Sequence, residues 1–281
     1  MKNPERRSSS TEAAVWLFAV PALALMTLTS IVPIVQTVAL AGAPKRALAD
    51  GQLWASMRNT LSFTAWTVSL ELVLGLGVAL LLMKPLRGRA LLRASVLIPW
   101  ALPTAVMAMA WRWIFNSDYG VFGDLTHRLG LTSTAQVAWL ARPHTAFFAC
   151  VFADVWKTTP FMAIMLMSGL ANISDDLYEA AAIDGAGPFK RFWLVTLPLL
   201  RPTIALAVLF RAIQAFGIFD LIYVLTGGGP GGRTRTISLY VYDTVFRYQE
   251  LAYGCTVSLI MAAVLLLLAL VLFGVSKAAE R

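Results

Sequence analysis

The sequence predicts an all-α integral membrane protein with six transmembrane helices. Of its 281 residues, 58% are hydrophobic and only 14% are charged, whereas soluble domains average roughly a quarter charged residues. Several apolar runs also exceed the roughly 20 helical residues that cross a bilayer. In lipid each such segment must satisfy its own backbone hydrogen bonds, and the ten-residue alternation of a membrane β-barrel is absent. One bundle of helices is therefore the favoured architecture.

Six apolar runs are the candidate spans. The first, third and sixth carry no charge over their apolar centres, and each of the other three carries one or two. No stretch between them is long enough to form a soluble domain, so the whole chain, 1–281, is one transmembrane domain. The predicted spans are 13–40, 59–83, 93–115, 144–171, 200–225 and 251–275.

The first run requires a comparison with a signal peptide. It follows Lys2, Arg6 and Arg7, and Ala22-Leu23-Ala24 resembles a cleavage site. The apolar region of a signal peptide is about 7–15 residues long, and this run continues well beyond that length. We therefore expect an uncleaved first helix.

The net charge of +8 could indicate nucleic-acid binding, but the basic residues do not form one face. They lie at the ends of apolar runs, where the positive-inside rule places them. They are in modest excess in the four segments that are internal if the N-terminus is cytoplasmic. We therefore expect a multi-pass membrane protein with both termini in the cytoplasm and no nucleic-acid partner.

A polar segment, 174–197, separates the fourth and fifth runs. Ser174 followed by two aspartates is typical of an N-cap with acids in the first turn, where the helix dipole favours them. The helix should stop near Gly185, because glycine tolerates positive φ and Pro188 cannot continue a helix. A second short helix is predicted over Phe189–Thr196. The product is a jointed amphipathic helix at the membrane surface, either a passive connector or a docking element.

The spacing within this segment resembles the EAA loop of ABC-importer permeases. Glu179-Ala180-Ala181 is followed, after three intervening residues, by Gly185. After nine more residues comes Val195, where the family usually has Ile, and after one more Leu197-Pro198. The TGGGP run, 226–230, resembles the first permease subunit of maltose-type and glycerol-phosphate-type systems. Other stretches similar to the carbohydrate branch are IPWALPTAVMAMAWRWIFN (98–116), DVWKTTPF (154–161) and QAFGIFDLIYVLTGGGP (214–230).

The resemblance implies a type I ABC-importer permease whose cytoplasmic EAA coupling helix inserts into a separate ATPase subunit. The implied partners are a second permease subunit, two ATPase subunits, an extracytoplasmic sugar-binding protein, the sugar itself and the lipid of a bacterial or archaeal plasma membrane. The ATPase-coupling residues carried over are Glu179, Ala180, Ala181, Asp184 and Gly185.

No catalytic machinery is evident in the sequence. A P-loop, GxxxxGK[ST], does not occur, so ATP and Mg²⁺ would be held by the partner ATPase and this chain is expected to be neither an enzyme nor a cofactor-binding protein. Cys150 and Cys255 fall in different apolar runs and match no metal-binding spacing. We therefore expect no metal site.

Charged residues inside membrane spans are costly and often mark a substrate pathway. The fourth and fifth runs flank the coupling segment and carry polar groups near mid-depth, where transporter sites commonly lie. Interleaved aromatic residues suit a neutral polyol through stacking and directional hydrogen bonds. The predicted substrate-binding residues are Asp154, Trp156, Lys157, Phe161, Arg211, Gln214, Phe219 and Asp220.

Structural pairing is the alternative interpretation of each buried charge. Asp154 and Lys157 lie one helical turn apart and could neutralise each other. Arg211 could pair with an acid on another helix. We assign Glu71, in the middle of the second run, to such a structural pair.

These observations predict the transmembrane subunit of an ATP-driven sugar importer that works by alternating access. A neutral di- or oligosaccharide is the first choice of cargo, and Lys157 and Arg211 leave glycerol phosphate or another polyol open. The alternative from a different class is a self-sufficient secondary transporter, with Glu71, Asp154 and Asp220 as an ion relay. Six spans, no inverted repeat and the coupling segment disfavour that alternative.

Overall fold

The computed structural model describes residues 6–84 and 88–279. Within these two ranges the chain forms helices and connecting turns and no strand. We number the helices in chain order: α1 Arg6–Leu40, α2 Pro44–Ala49, α3 Gly51–Met83, α4 Arg89–Ala101, α5 Thr104–Ile114, α6 Val121–Arg128, α7 Pro143–Leu170, α8 Asp175–Ile183, α9 Pro188–Arg191, α10 Leu197–Phe216, α11 Asp220–Leu225, α12 Ile237–Tyr242 and α13 Leu251–Ala279.

Five segments are long and apolar enough to cross a membrane. They are α1, α3, α7, the segment Pro188–Phe216 that contains α9 and α10, and α13. A sixth span exists only if α4 and α5 count together, and these two helices meet at an angle of 90°. The third run, predicted as one helix over 93–115, is therefore broken. Leu102 is extended (φ −71°, ψ 137°) because it precedes Pro103, and the ring of a proline disfavours helical geometry in the preceding residue.

Other boundaries also differ from those expected. The second span begins at Gly51 rather than at residue 59, because the carboxylate of Asp50 caps the backbone N–H groups of Gln52 and Leu53. The fifth was predicted to reach residue 225, but α10 ends at Phe216 and the chain turns before α11. The short helix predicted over Phe189–Thr196 is instead α9 followed by one π-helical turn, Phe192–Thr196.

The centre of the bundle is the pair α3 and α7, with α10 against both and α13 against α10. Small residues allow the close approach of α7 and α10. A Cβ atom added to Gly169 would lie 2.7 Å from Cδ1 of Leu200. By contrast, α1 lies against α13 and has no buried residue in its span Trp16–Leu40. The first helix is thus peripheral to the core.

A hydrogen-bonded cluster joins the start of α3 to α12 and α13. The carboxylate of Asp50 accepts hydrogen bonds from the hydroxyl groups of Tyr240 and Tyr253, each at 2.5 Å. Burial acts to raise the pKa of Asp50, but these two bonds and the backbone N–H groups of α3 outweigh it and lower the pKa. The charged carboxylate of Asp50 therefore holds α3, α12 and α13 together at this end of the bundle.

Candidate functional site

The most conspicuous polar feature inside the bundle is a cluster of three charged side chains, Glu71 of α3, Asp154 of α7 and Arg211 of α10. We call it the charge cluster. Arg211 donates from Nε and Nη2 to the two carboxylate oxygens of Glu71, at 2.6 and 2.8 Å. Its Nη2 also donates to Asp154 Oδ2 at 3.1 Å. The planar guanidinium fork thus connects three spans in one place.

The charge cluster is buried at the level of the hydrocarbon. Glu71 is fully buried, and Asp154 and Arg211 are each 3% exposed. At a helical rise of 1.5 Å per residue, the three residues lie about 18–24 Å from the end of the bundle formed by Met83, Leu170 and Leu197. Charges at such depth require close partners. Thr158 supplies another, donating to Glu71 Oε1 at 2.5 Å.

This arrangement decides between interpretations that the sequence left open. Glu71 was expected in a structural pair, and its ion pair with Arg211 confirms that expectation. Neutralisation of Asp154 by Lys157 was wrong, because Asp154 pairs with Arg211 instead. The ion relay of the alternative transporter hypothesis is not assembled either. Glu71 and Asp154 share one arginine, whereas Asp220 is exposed at the start of α11.

Gln214 connects the charge cluster to an exposed surface. Its Oε1 accepts a hydrogen bond from Arg211 Nη1 at 2.9 Å, while the residue itself is exposed on α10. A guanidinium group only donates hydrogen bonds, so it selects the amide orientation with the oxygen inward. The amide nitrogen of Gln214 is thereby left to face outward. Through this hydrogen bond, Arg211 orients the amide group of Gln214 as a hydrogen-bond donor on the surface of the bundle.

Lys157 and Phe161 lie at the break between α4 and α5. The ammonium group of Lys157 donates to the backbone oxygens of Trp100 and Leu102, at 3.2 and 2.8 Å. Both carbonyls belong to the end of α4, where the helix leaves such groups without an internal partner. Phe161 stacks on the ring of Trp100, with centroids 5.9 Å apart. These two predicted site residues therefore stabilise the broken span.

The remaining predicted substrate-binding residues are separated from one another. Trp156 lies two positions from Asp154, about 200° around the helix, and lines an apolar groove of about 630 Å³ with residues that include Leu70 and Val96. Phe219 belongs to an aromatic cluster between α10 and α12. Its ring stacks on Tyr223 at 5.3 Å, and Tyr242 and Phe246 extend the cluster. Asp154, Arg211 and Gln214 come together at the charge cluster, and Lys157 and Phe161 at the break between α4 and α5.

The coupling segment projects from the end of the bundle where α3 and α7 finish. The hydroxyl of Ser174 accepts from the N–H of Asp176 and caps α8, as expected. No residue of α8 is buried, and Ile183 at its end is 87% exposed. Gly185 follows with φ +77°, and no described atom lies within 4 Å of a Cβ added to it. The end of α8 and the turn after it are therefore accessible. This short region contains Glu179, Ala180, Ala181, Asp184 and Gly185.

Sequence reasoning missed three participants. Thr158 and Trp100 gave no signal beyond their positions, because their roles depend on which helix packs beside them. Tyr178 of α8 shares a hydrogen bond with Thr196 that no sequence pattern indicated. Within the two described ranges, no three His, Cys, Asp or Glu side chains come together to hold a metal ion.

Comparison with known proteins gives a family match over most of the chain. Residues 71–281 match the family model described as "Binding-protein-dependent transport system inner membrane component". That region contains the charge cluster, the coupling segment and every helix after α3.

Several curated relatives are similar over most of their length. The chain is 46% identical over 232 residues to the trehalose/maltose transport system permease protein MalF of Thermococcus litoralis, covering 83% of this chain and 77% of the relative. It is 41% identical to the sulfoquinovosyl glycerol transport system permease protein SmoG of Agrobacterium fabrum, covering 76% and 68%. The trehalose transport system permease protein SugA of Mycobacterium tuberculosis is 37% identical, with 81% and 72% covered.

Solved structures with the same fold are also ABC transporters. A bacterial ABC transporter involved in the import of the acidic polysaccharide alginate aligns with a TM-score of 0.86, covering 99% of this chain and 100% of that chain at 18% identity. The MetNI methionine ABC transporter aligns with a TM-score of 0.59, covering 82% and 96% at 20% identity. At such low identity these alignments are evidence for the fold alone.

Proposed function

We propose a function from one premise: the chain belongs to the family of binding-protein-dependent transport system inner membrane components. It is a multi-pass permease subunit of an ABC sugar importer, a transport component rather than an enzyme. In our proposal both termini are cytoplasmic, and the chain pairs with a second permease subunit above two ATPase subunits. ATP and Mg²⁺ bind to those ATPases. An extracytoplasmic binding protein delivers the sugar, which crosses by alternating access.

The observation that carries this proposal is the accessibility of α8. A short helix with no buried residue and an exposed isoleucine at its end gains little from its own bundle. Leu177 and Phe189 of the same segment are exposed as well, and a group of exposed large apolar side chains favours a partner that covers it. The positive φ of Gly185 lets the chain turn sharply directly after α8. We assign the surface formed by Glu179, Ala181 and Gly185 to the ATPase subunit.

Substitution of Gly185 by aspartate tests the docking role. Aspartate tolerates positive φ better than most residues, so the variant should fold, while its side chain occupies the docking surface. We expect sugar uptake to be abolished, and the ATPase subunit to be lost from the purified complex, with unchanged amounts of permease in the membrane.

Gly88 provides a matched control for this experiment. It also has positive φ (76°), and no atom of the described residues lies within 4 Å of an added Cβ, but it lies in the turn before α4. Gly88→Asp should leave uptake and ATPase retention at the level of the unsubstituted protein. Normal uptake by Gly185→Asp would remove the docking role from this segment.

The cargo we propose is a neutral sugar. Near mid-depth, the negative charges of Glu71 and Asp154 are balanced by the positive charges of Lys157 and Arg211. Both cations are already engaged, Arg211 by the two acids and Lys157 by two backbone carbonyls. Neither of these two cations is left over for an anion, and other arginines of the described spans, such as Arg58 and Arg112, lie near the ends of their helices. Two of the relatives are named for trehalose, one of them also for maltose, which is consistent with this choice.

The sugar contacts we propose lie on the exposed surface around the end of α10. Gln214 offers an amide donor, Asp220 a carboxylate acceptor and Phe219 an aromatic face. Hydrogen bonds together with ring stacking are the combination that binds sugars in pockets. Asp154 and Arg211 act through the orientation of Gln214. A second permease subunit facing this surface would complete the site, because this chain lines only one side of it.

A further inference from the structure

We propose that Tyr178 is a positioning residue for energy coupling. Its hydrogen bond to Thr196 ties α8 to the turn that begins the fifth span, so that a displacement of α8 is passed to α10. This inference rests on the proposed function of α8 as the docking element for the ATPase.

The hydrogen bond is a contact between two distant parts of the coupling segment. The hydroxyl oxygens of Tyr178 and Thr196 are 3.0 Å apart. Thr196 is 4% exposed, so its hydroxyl has little access to water and needs a protein partner. Within α8 only Tyr178 and Ala181 are even half-buried, and all other residues are exposed. Tyr178 is therefore the side chain through which α8 is attached to the bundle.

Packing alone does not hold α8 in place. Asp175 and Tyr178 line an open cavity of about 390 Å³ together with Met83 and Leu170, at the ends of α3 and α7. A helix above such a cavity can move without forcing buried side chains to repack. Its remaining connection after Ile183 is the turn in which the N–H of Ala186 donates to the oxygen of Ala181. The hydrogen bond between Tyr178 and Thr196 therefore fixes the position of α8.

The hydrogen bond from Tyr178 ends at Thr196, from which a movement of α8 can be passed to α10 and the charge cluster. Thr196 is the last residue of the π-helical turn Phe192–Thr196, and α10 begins directly after it. Single π-helical turns frequently occur at functional positions, because the wider turn is less regular than the helices beside it. From there α10 is continuous to Phe216. It carries Arg211 about 21 Å further along, at 1.5 Å per residue.

The test removes each hydroxyl without changing the size of the side chain. Tyr178→Phe and Thr196→Val are introduced into the complete transporter with its second permease, ATPases and binding protein. ATP hydrolysis and uptake of radiolabelled trehalose and maltose are measured on the same proteoliposomes. We expect the sugar transported per ATP hydrolysed to fall by about fivefold or more, the lower range of coupling between sites. The ATPase subunit should still copurify.

Three further variants separate coupling from stability. Thr196→Ser keeps the hydroxyl and should preserve the ratio. Thr159→Val removes a hydroxyl that, in the described part of the chain, bonds the backbone oxygen of Val155 within α7. It should also preserve the ratio. The double variant of Tyr178→Phe and Thr196→Val should be no worse than either single variant, because both remove the same bond.

The possible results distinguish a coupling role of Tyr178 from a merely structural one. A merely structural role would lower the yield of assembled complex and reduce ATP hydrolysis and uptake together, which would overturn the inference. An unchanged ratio in Tyr178→Phe, or additive losses in the double variant, would also overturn it. In those cases ATP-driven uptake by the unsubstituted complex would leave the proposed function intact. Uptake without ATP by that complex would instead overturn the proposed function, and this inference with it.

Discussion

Arg211 shows how one residue can determine the interior of a membrane bundle. Its guanidinium group binds an acid on α3, an acid on α7 and an amide on its own helix. A lysine could not reproduce this pattern, because its ammonium group is a point charge without a planar fork. Removing the arginine would leave two carboxylates without their counter-ion in the hydrocarbon, where unpaired charge is costly.

We predict that Arg211→Met destabilises the protein by about 3–5 kcal/mol, the usual cost of breaking a buried ion pair. Thermal unfolding of the purified transporter in lipid nanodiscs would measure this. Arg128→Met is the matched control, since Arg128 forms an exposed pair with Asp124 and such pairs contribute only about 0–1 kcal/mol. An equal effect of the two substitutions would contradict the importance of the charge cluster.

A charge-free variant separates the stability of the cluster from its role in transport. Replacing Glu71, Asp154 and Arg211 together by apolar residues should recover much of the lost stability, as for other buried ion clusters. Uptake should remain low, because no guanidinium would orient Gln214. Full recovery of uptake in this variant would show that Gln214 needs no orientation by Arg211.

At the scale of elements, the break between α4 and α5 is the main departure from a simple bundle. Proline at positions 99 and 103 makes a continuous helix unfavourable, and Leu102 takes the extended geometry that precedes a proline. A broken helix inside a membrane needs partners for its free carbonyls. Lys157 supplies them from α7. The break is therefore stabilised by a specific side chain.

We predict that Lys157→Met destabilises the protein by about 1.5–3 kcal/mol, the typical contribution of a hydrogen bond to a charged group. Lys157→Arg should retain most of the stability, because a guanidinium group can also donate to both carbonyls. The measurement is again thermal unfolding, with Thr159→Val as the control. Unchanged stability combined with a selective loss of uptake would instead make Lys157 a contact of the cargo.

At the scale of the whole molecule, the distribution of charge bears on what is transported. The four ionisable groups of the charge cluster and its neighbour Lys157 sum to zero and are engaged with one another or with backbone. A transport pathway beside a cluster with zero net charge offers the cargo hydrogen bonds and aromatic faces rather than a net electrostatic attraction. Sugars without charge fit this description better than anionic ones do.

We predict that the cognate binding protein and the complete transporter prefer neutral disaccharides. Calorimetric titration of the binding protein with trehalose, maltose, sulfoquinovosyl glycerol and glycerol phosphate would measure the preference directly. Gln214→Leu in the permease should then lower uptake of the preferred sugar, with binding to the isolated binding protein unchanged. Tighter binding of the two anionic compounds would contradict the neutral cargo.

The agreement between sequence and structure is greatest where physical causes are local. The N-cap at Ser174, the stop near Gly185 and the apolar spans follow from residues close in the chain, and they agree with the structure in kind. Boundaries were less accurate where a single side chain altered them, as Asp50 does at the start of α3. The predicted site was dispersed, because Trp156 and Asp154 are neighbours in sequence but face opposite sides of one helix.

Taken alone, the sequence determined that this chain resides in a membrane, how many apolar segments it has and that it carries the EAA motif of an ABC-importer permease. Transfer of side chains into lipid and local backbone preferences are sufficient for the first two conclusions, and the third rests on the resemblance of the spacing over residues 179–198 to that of the family. The tertiary structure alone decided that Arg211 binds both Glu71 and Asp154, that Lys157 caps α4, and that Tyr178 reaches Thr196. Those partners come from segments that meet only when helices pack, and packing depends on the shapes of all the helices together.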